Sequence, residues 1–123
     1  MSSLLNFMER WKKKFHYFDY DGISGDDTAF KSFARGFGIC LRNDCKTHGI
    51  EVLKVTRGHF DVSARVRRKS DGKMFFIAIP DVRSRHSIFE KVLFREVKDE
   101  NDHVGGMNRW AFLDSIPRLI EGA

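Results

Sequence analysis

Proline is scarce in this chain, with two in 123 residues, so collagen-like and proline-rich extended architectures are excluded. Cysteine is equally rare. Cys40 and Cys45 stand alone, which rules out a disulfide-dense scaffold. They fall within one helical pattern, on different sides of it, which is poor geometry for a bridge. Two buried, reduced thiols are expected instead. No apolar run approaches the roughly 18 residues that a membrane-crossing helix requires. The stretch from Met1 to Phe7 is too short, and too soon interrupted by charge, to read as a signal peptide. The expectation is a soluble, cytoplasmic protein. A nucleophile elbow, a phosphate-binding glycine loop and a Ser/His/Asp order are also missing.

Phenylalanine is abundant, at twelve residues, within a composition that is 41% apolar and 32% charged. That is the make-up of a globular domain with a Phe-rich core. No repeat, linker or compositional break divides the chain, so residues 1–123 are expected to form one domain. The formal charge of +5 favours a polyanionic partner such as nucleic acid.

Leu4, Phe7, Met8, Trp11, Phe15 and Phe18 recur at spacings of three and four, which predicts a helix over residues 4 to about 17, with Ser3 as its N-cap. Arg10, Lys12, Lys13 and Lys14 take the other side. The loop from Asp19 to Asp27 has the look of a calcium loop. Ile23 and Phe30, however, occupy positions where such a loop needs oxygen ligands. From Thr28 to about Thr47, Phe30, Phe33, Ala34, Phe37 and Leu41 again follow helical spacing, with Lys31, Arg35, Arg42 and Lys46 opposite. Gly36 and Gly38 each cost a helix about 1 kcal/mol against alanine. They imply either close packing against another element or a break. Gly49 has the position of a C′ glycine.

The middle of the chain reads as β. Glu51 to Arg57 forms a first strand, with Gly58 at the turn. His59 to Arg67 alternates, Phe60, Val62, Ala64 and Val66 against Asp61, Ser63, Arg65 and Arg67, which predicts a half-buried strand. Asp71-Gly72 marks a hairpin. Met74 to Ile79 is apolar on both faces and is expected at the sheet centre, with Phe75 open to a partner should helices cover only one face. Phe89 to Lys98 makes a fourth strand, residues 108–112 a fifth strand or a helix start, and residues 114–121 a terminal helix with Pro117 in its first turn. The fold class is thus α+β: two N-terminal helices, a four- to five-stranded mainly antiparallel sheet and a short C-terminal helix.

Two constellations carry possible chemistry. Pro80-Asp81 with Glu96-Val97-Lys98 resembles the PD…ExK signature of a nuclease superfamily. That resemblance implies magnesium on the two carboxylates and a lysine that helps place the attacking water. Acidic-x-Lys triplets also occur at Asp44-Cys45-Lys46 and Asp71-Gly72-Lys73, so the pattern has little specificity. Cys40, Cys45 and His48, with His59 as a fourth ligand, have a zinc-like composition, but cysteines within a helix do not form the loop knuckles of structural zinc. No catalytic residue, metal or cofactor is assigned. The remaining constellation is electrostatic. Arg65, Arg67, Arg68, Lys69 and Lys73 surround a hairpin, Arg83 and Arg85 lie in a following loop, and Lys12, Lys13 and Lys14 add a third basic group. Arginine suits bidentate phosphate contacts, and a basic hairpin can follow a phosphate backbone.

The segments Trp11-Lys-Lys-Lys-Phe-His-Tyr-Phe-Asp-Tyr-Asp-Gly and Asp102-His-Val-Gly-Gly-Met-Asn108 resemble small accessory proteins carried on conjugative or phage-derived elements of Gram-positive bacteria. The resemblance implies either the handling of transfer or replication DNA or the blocking of a host defence such as a CRISPR nuclease. A charge of +5 argues against DNA mimicry. The expectation is a non-enzymatic module that binds nucleic acid or a nucleoprotein through the hairpin. An inhibitor of a host defence protein comes second and a metal-dependent nuclease third. A homodimer through an exposed sheet face is a further possibility.

Overall fold

The computed structural model describes residues 3–12, 28–58, 61–79, 91–99, 109–112 and 115–122. In chain order these form helices α1 (Ser3–Lys12) and α2 (Thr28–Lys46), strands β1 (Ile50–Arg57), β2 (Val62–Arg68), β3 (Met74–Ile79), β4 (Lys91–Val97) and β5 (Arg109–Phe112), and helix α3 (Ile116–Gly122). The strands make one five-stranded sheet in the order β1-β2-β3-β4-β5, every pair antiparallel. The expected α+β class is therefore observed, and residues 109–112 are a strand.

The helices follow their apolar spacing. Leu4, Phe7 and Met8 of α1 pack with Phe33, Phe37 and Leu41 of α2 in one buried cluster, where each large side chain contributes about 1.5–3 kcal/mol by transfer from water. Phe7 and Phe33 stack with ring centroids 5.4 Å apart. The N-cap of α1 comes from elsewhere in the chain than Ser3. The Asp44 carboxylate, near the end of α2, accepts Ser3 N–H at 2.8 Å and Leu4 N–H at 2.9 Å. α2 runs unbroken through Gly36 and Gly38. A Cβ on Gly36 would stand 2.5 Å from the Phe7 ring, and one on Gly38 would stand 3.2 Å from Val55 of β1, so close packing explains both glycines. Gly49, at φ +68°, takes the left-handed conformation in the turn that leads from α2 into β1.

Alternation sorts the sheet into two faces. The inner face carries Ile50, Val55, Val62, Ala64, Val66, Phe75, Ile77, Ile79, Val92, Phe94 and Ala111. These join the same core as α1, α2 and the α3 residues Ile116 and Ile120. Phe75 belongs here, 1% exposed and stacked on Phe94 with centroids 5.5 Å apart and planes 9° from parallel. The expectation that Phe75 faces outward is thus corrected; Phe76 is the outward residue of that pair. β2 is also more enclosed than its alternation predicts. Its outward Ser63 and Arg65 are buried, Arg65 lying against the Phe76 ring of the neighbouring strand.

Candidate nucleic-acid interface

The outer face follows from the pairing register. Arg65 of β2, Phe76 of β3 and Arg95 of β4 fall in one cross-strand row. The two guanidiniums approach the Phe76 ring from the flanking strands, at 4.4 and 5.2 Å from its centroid. Both arginines are buried and partnered, so this row is a rib of cation–π contacts across the sheet. Beyond it the same face carries Glu51 and Lys54 on β1, Arg67 on β2 and Lys91 on β4. Arg67 Nη2 meets Glu51 Oε2 at 2.6 Å, with both side chains part exposed. An exposed pair of that kind contributes on the order of 1 kcal/mol or less.

The β2–β3 hairpin closes through a four-residue loop, 69–72, with Arg68 N–H donating to the Lys73 carbonyl at 2.8 Å. Gly72 takes φ +78°, the left-handed conformation that Asp-Gly anticipates. Arg68 points to the inner face and is 7% exposed. Its fork donates to both Asp71 carboxylate oxygens at 2.9 and 2.6 Å, and Nη1 donates to the Ile120 carbonyl of α3 at 2.5 Å. A cation against the last carbonyls of a helix is favourably placed. The Arg68 guanidinium, with the Lys73 N–H, holds the Asp71 carboxyl down at about 2, well below its ordinary value. Lys69 and Lys73 are exposed at the tip, and Lys73 Nζ is 3.5 Å from Glu96.

Arg65, Arg67, Arg68, Lys69 and Lys73 are thus brought onto one hairpin, but they divide by exposure. Arg65 and Arg68 are internal, whereas Lys69, Lys73 and half-buried Arg67 reach the surface. Arg83, Arg85, Lys13 and Lys14 lie outside the described residues, as do most of both segments that carry the mobile-element resemblance; Lys12 ends α1. Asp81 of the nuclease-like pattern also lies outside them, and Glu96 is engaged with Lys73. Cys40 and Cys45 are free and buried, as expected. Burial, aided by neighbouring Asp44, pushes the Cys45 thiol up to about 12, so it is unreactive at neutral pH. His48 pairs with Glu121 of α3, and no group of metal-ligating side chains occurs among the described residues. No helix among them is long and apolar enough to cross a membrane.

Two further surface groups stand out, the first legible from helical spacing and the second not. On α2, Lys31, Arg35, Arg42 and Lys46 are all exposed and fall on one narrow helical stripe. On β5, Trp110 and Phe112 are 53% and 55% exposed. They share the outer face with Lys91, whose Nζ lies 5.2 Å from the Phe112 ring centroid. The Trp-x-Phe spacing announces a shared face only once residues 109–112 are known to be a strand. Compared with known protein families, curated proteins and solved structures, the chain matches none. The class that fold and surface define is a helix-backed antiparallel meander with a basic, aromatic outer face.

Proposed function

We propose that this chain is a non-enzymatic binding module that contacts nucleic acid or a nucleoprotein through its basic hairpin and the outer sheet face. The observation that carries the reading is the charge of that face. Among the described residues its solvent-reaching cations are Lys54, Lys91 and half-buried Arg67, against one carboxylate, Glu51. A phosphate backbone is the partner that such an excess attracts, and its counterion release makes the contact strongly salt-dependent. Lys69 and Lys73 at the tip, with Arg67 behind them, are the contacts of the hairpin; Arg65 and Arg68 hold its shape. The exposed cations of α2 extend the positive surface beyond the sheet.

Fluorescence polarisation with labelled single-stranded and duplex DNA and RNA, titrated over several salt concentrations, tests this. The Lys69→Ala/Lys73→Ala variant is the appropriate comparison, because both side chains are exposed. The wild type is expected to bind with a steep salt dependence, and the variant to lose roughly 0.7 to 0.9 of slope per phosphate contact removed. Binding that is absent, or that salt leaves unchanged, would overturn the proposal.

A further inference from the structure

Trp110 and Phe112 stand two residues apart on the outer side of β5, so their rings are separated by two strand rises, about 7 Å. Both are more than half exposed. The strand beneath them is anchored from behind. Ala111 and its cross-strand partner Val92 are buried on the inner face, and Arg109 lies 5.1 Å over the Phe94 ring. Two large aromatic side chains held side by side on a firm support, facing solvent, mark a contact surface.

The surrounding charge selects the partner. Lys91 is directly opposite Phe112 in the β4–β5 register, while Leu93 is opposite Trp110. A second copy of the chain docking by this patch about a two-fold axis would bring the patch against itself, bringing Lys91 toward the other copy's identical cation. An apolar protein surface would leave Lys91 to be desolvated without a counter-charge. A single nucleic-acid strand supplies both needs, a flat π face for each ring and a phosphate for the lysine. A duplex hides its base faces in the stack. The ring separation is about twice the 3.4 Å step between stacked bases of one strand, which suits one ring to each of two unstacked bases.

Taking nucleic-acid binding itself from the preceding proposal, we infer that Trp110 and Phe112 form a stacking platform for two unpaired bases of a single-stranded nucleic acid, with Lys91 on the adjoining phosphate. The test is fluorescence polarisation of a labelled oligothymidylate of about twelve nucleotides, beside a duplex of the same length. Wild type is compared with Trp110→Ala, Phe112→Ala, Trp110→Phe and Lys91→Ala, each checked for an unchanged thermal midpoint. Trp110→Ala is expected to weaken the single-stranded probe roughly ten-fold or more, with its salt slope and duplex binding unchanged. Trp110→Phe should recover most of the loss, and Lys91→Ala should lower the salt slope. Should the Lys69/Lys73 variant weaken binding while Trp110→Ala and Phe112→Ala do not, the platform is wrong and the nucleic-acid reading survives. Should no probe bind, both fall. A change from dimer to monomer in Trp110→Ala by sedimentation, with probe affinity untouched, would assign the patch to self-association and overturn the inference.

Discussion

At Gly36 a single hydrogen occupies a position where a methyl group would collide with the Phe7 ring at 2.5 Å. That ring is 5% exposed and stacked on Phe33, so it has little room to yield. Two effects oppose each other in Gly36→Ala: a gain of about 1 kcal/mol in helix propensity and an overpacking cost of about 1–3 kcal/mol. The steric effect is expected to win, leaving the variant less stable by roughly 1 kcal/mol in urea unfolding. An increase in stability would show that Phe7 moves freely. The same residue marks the boundary of sequence reading. The two glycines announced either a close approach or a break, and only the position of Phe7 decides between them. Arg65 teaches the converse. Its place in an alternating strand was legible, but its burial was not, because that depends on Phe76 and Arg95 lying in the same row.

At the scale of the elements, the start of α1 depends on another helix. Its first turn leaves backbone N–H groups that no intrahelical carbonyl can reach. Asp44 accepts two of them from across the helix pair, binding the beginning of α1 to the end of α2. Asp44→Ala is expected to cost about 1–2 kcal/mol. Hydrogen exchange should then show α1 losing protection ahead of the central strands, since locally held elements open first. Uniform loss across the molecule would instead mean that α1 has no separate opening. Periodicity found this helix but assigned its cap to the nearest serine, a local choice that a long-range carboxylate displaced. Strand β5 was ambiguous for a related reason. Four residues are too few for a period to declare itself, and its identity comes from pairing with β4.

At the scale of the whole molecule, Arg68 binds the hairpin to α3 and so connects the middle of the chain to its last helix. Its partner Asp71, held at about 2, gives the connection a pH signature. A carboxyl whose folded value is depressed adds stability that is fully present above its ordinary value of 3.8 and disappears as the pH falls toward 2. Urea unfolding between pH 5 and 2 should therefore show wild type losing stability more steeply than Asp71→Asn, the two curves converging at the acid end. Parallel curves would mean that Asp71 has the same proton affinity folded and unfolded. The class of the fold and the order of its elements were legible because amphipathic helices and alternating strands declare themselves locally. The partition of the cations into internal and surface sets was not, since it rests on α3 reaching back to Arg68 and on the register across β2, β3 and β4.

Among the described residues, each strand pairs only with its immediate neighbours in the chain. A growing polypeptide can thus lay down the sheet in the order of its synthesis, each strand finding a completed edge as it emerges. On that schedule the strand bearing Trp110 and Phe112 is the last of the five described to be added. Its two exposed rings are displayed only after the remainder of the sheet has been built behind them.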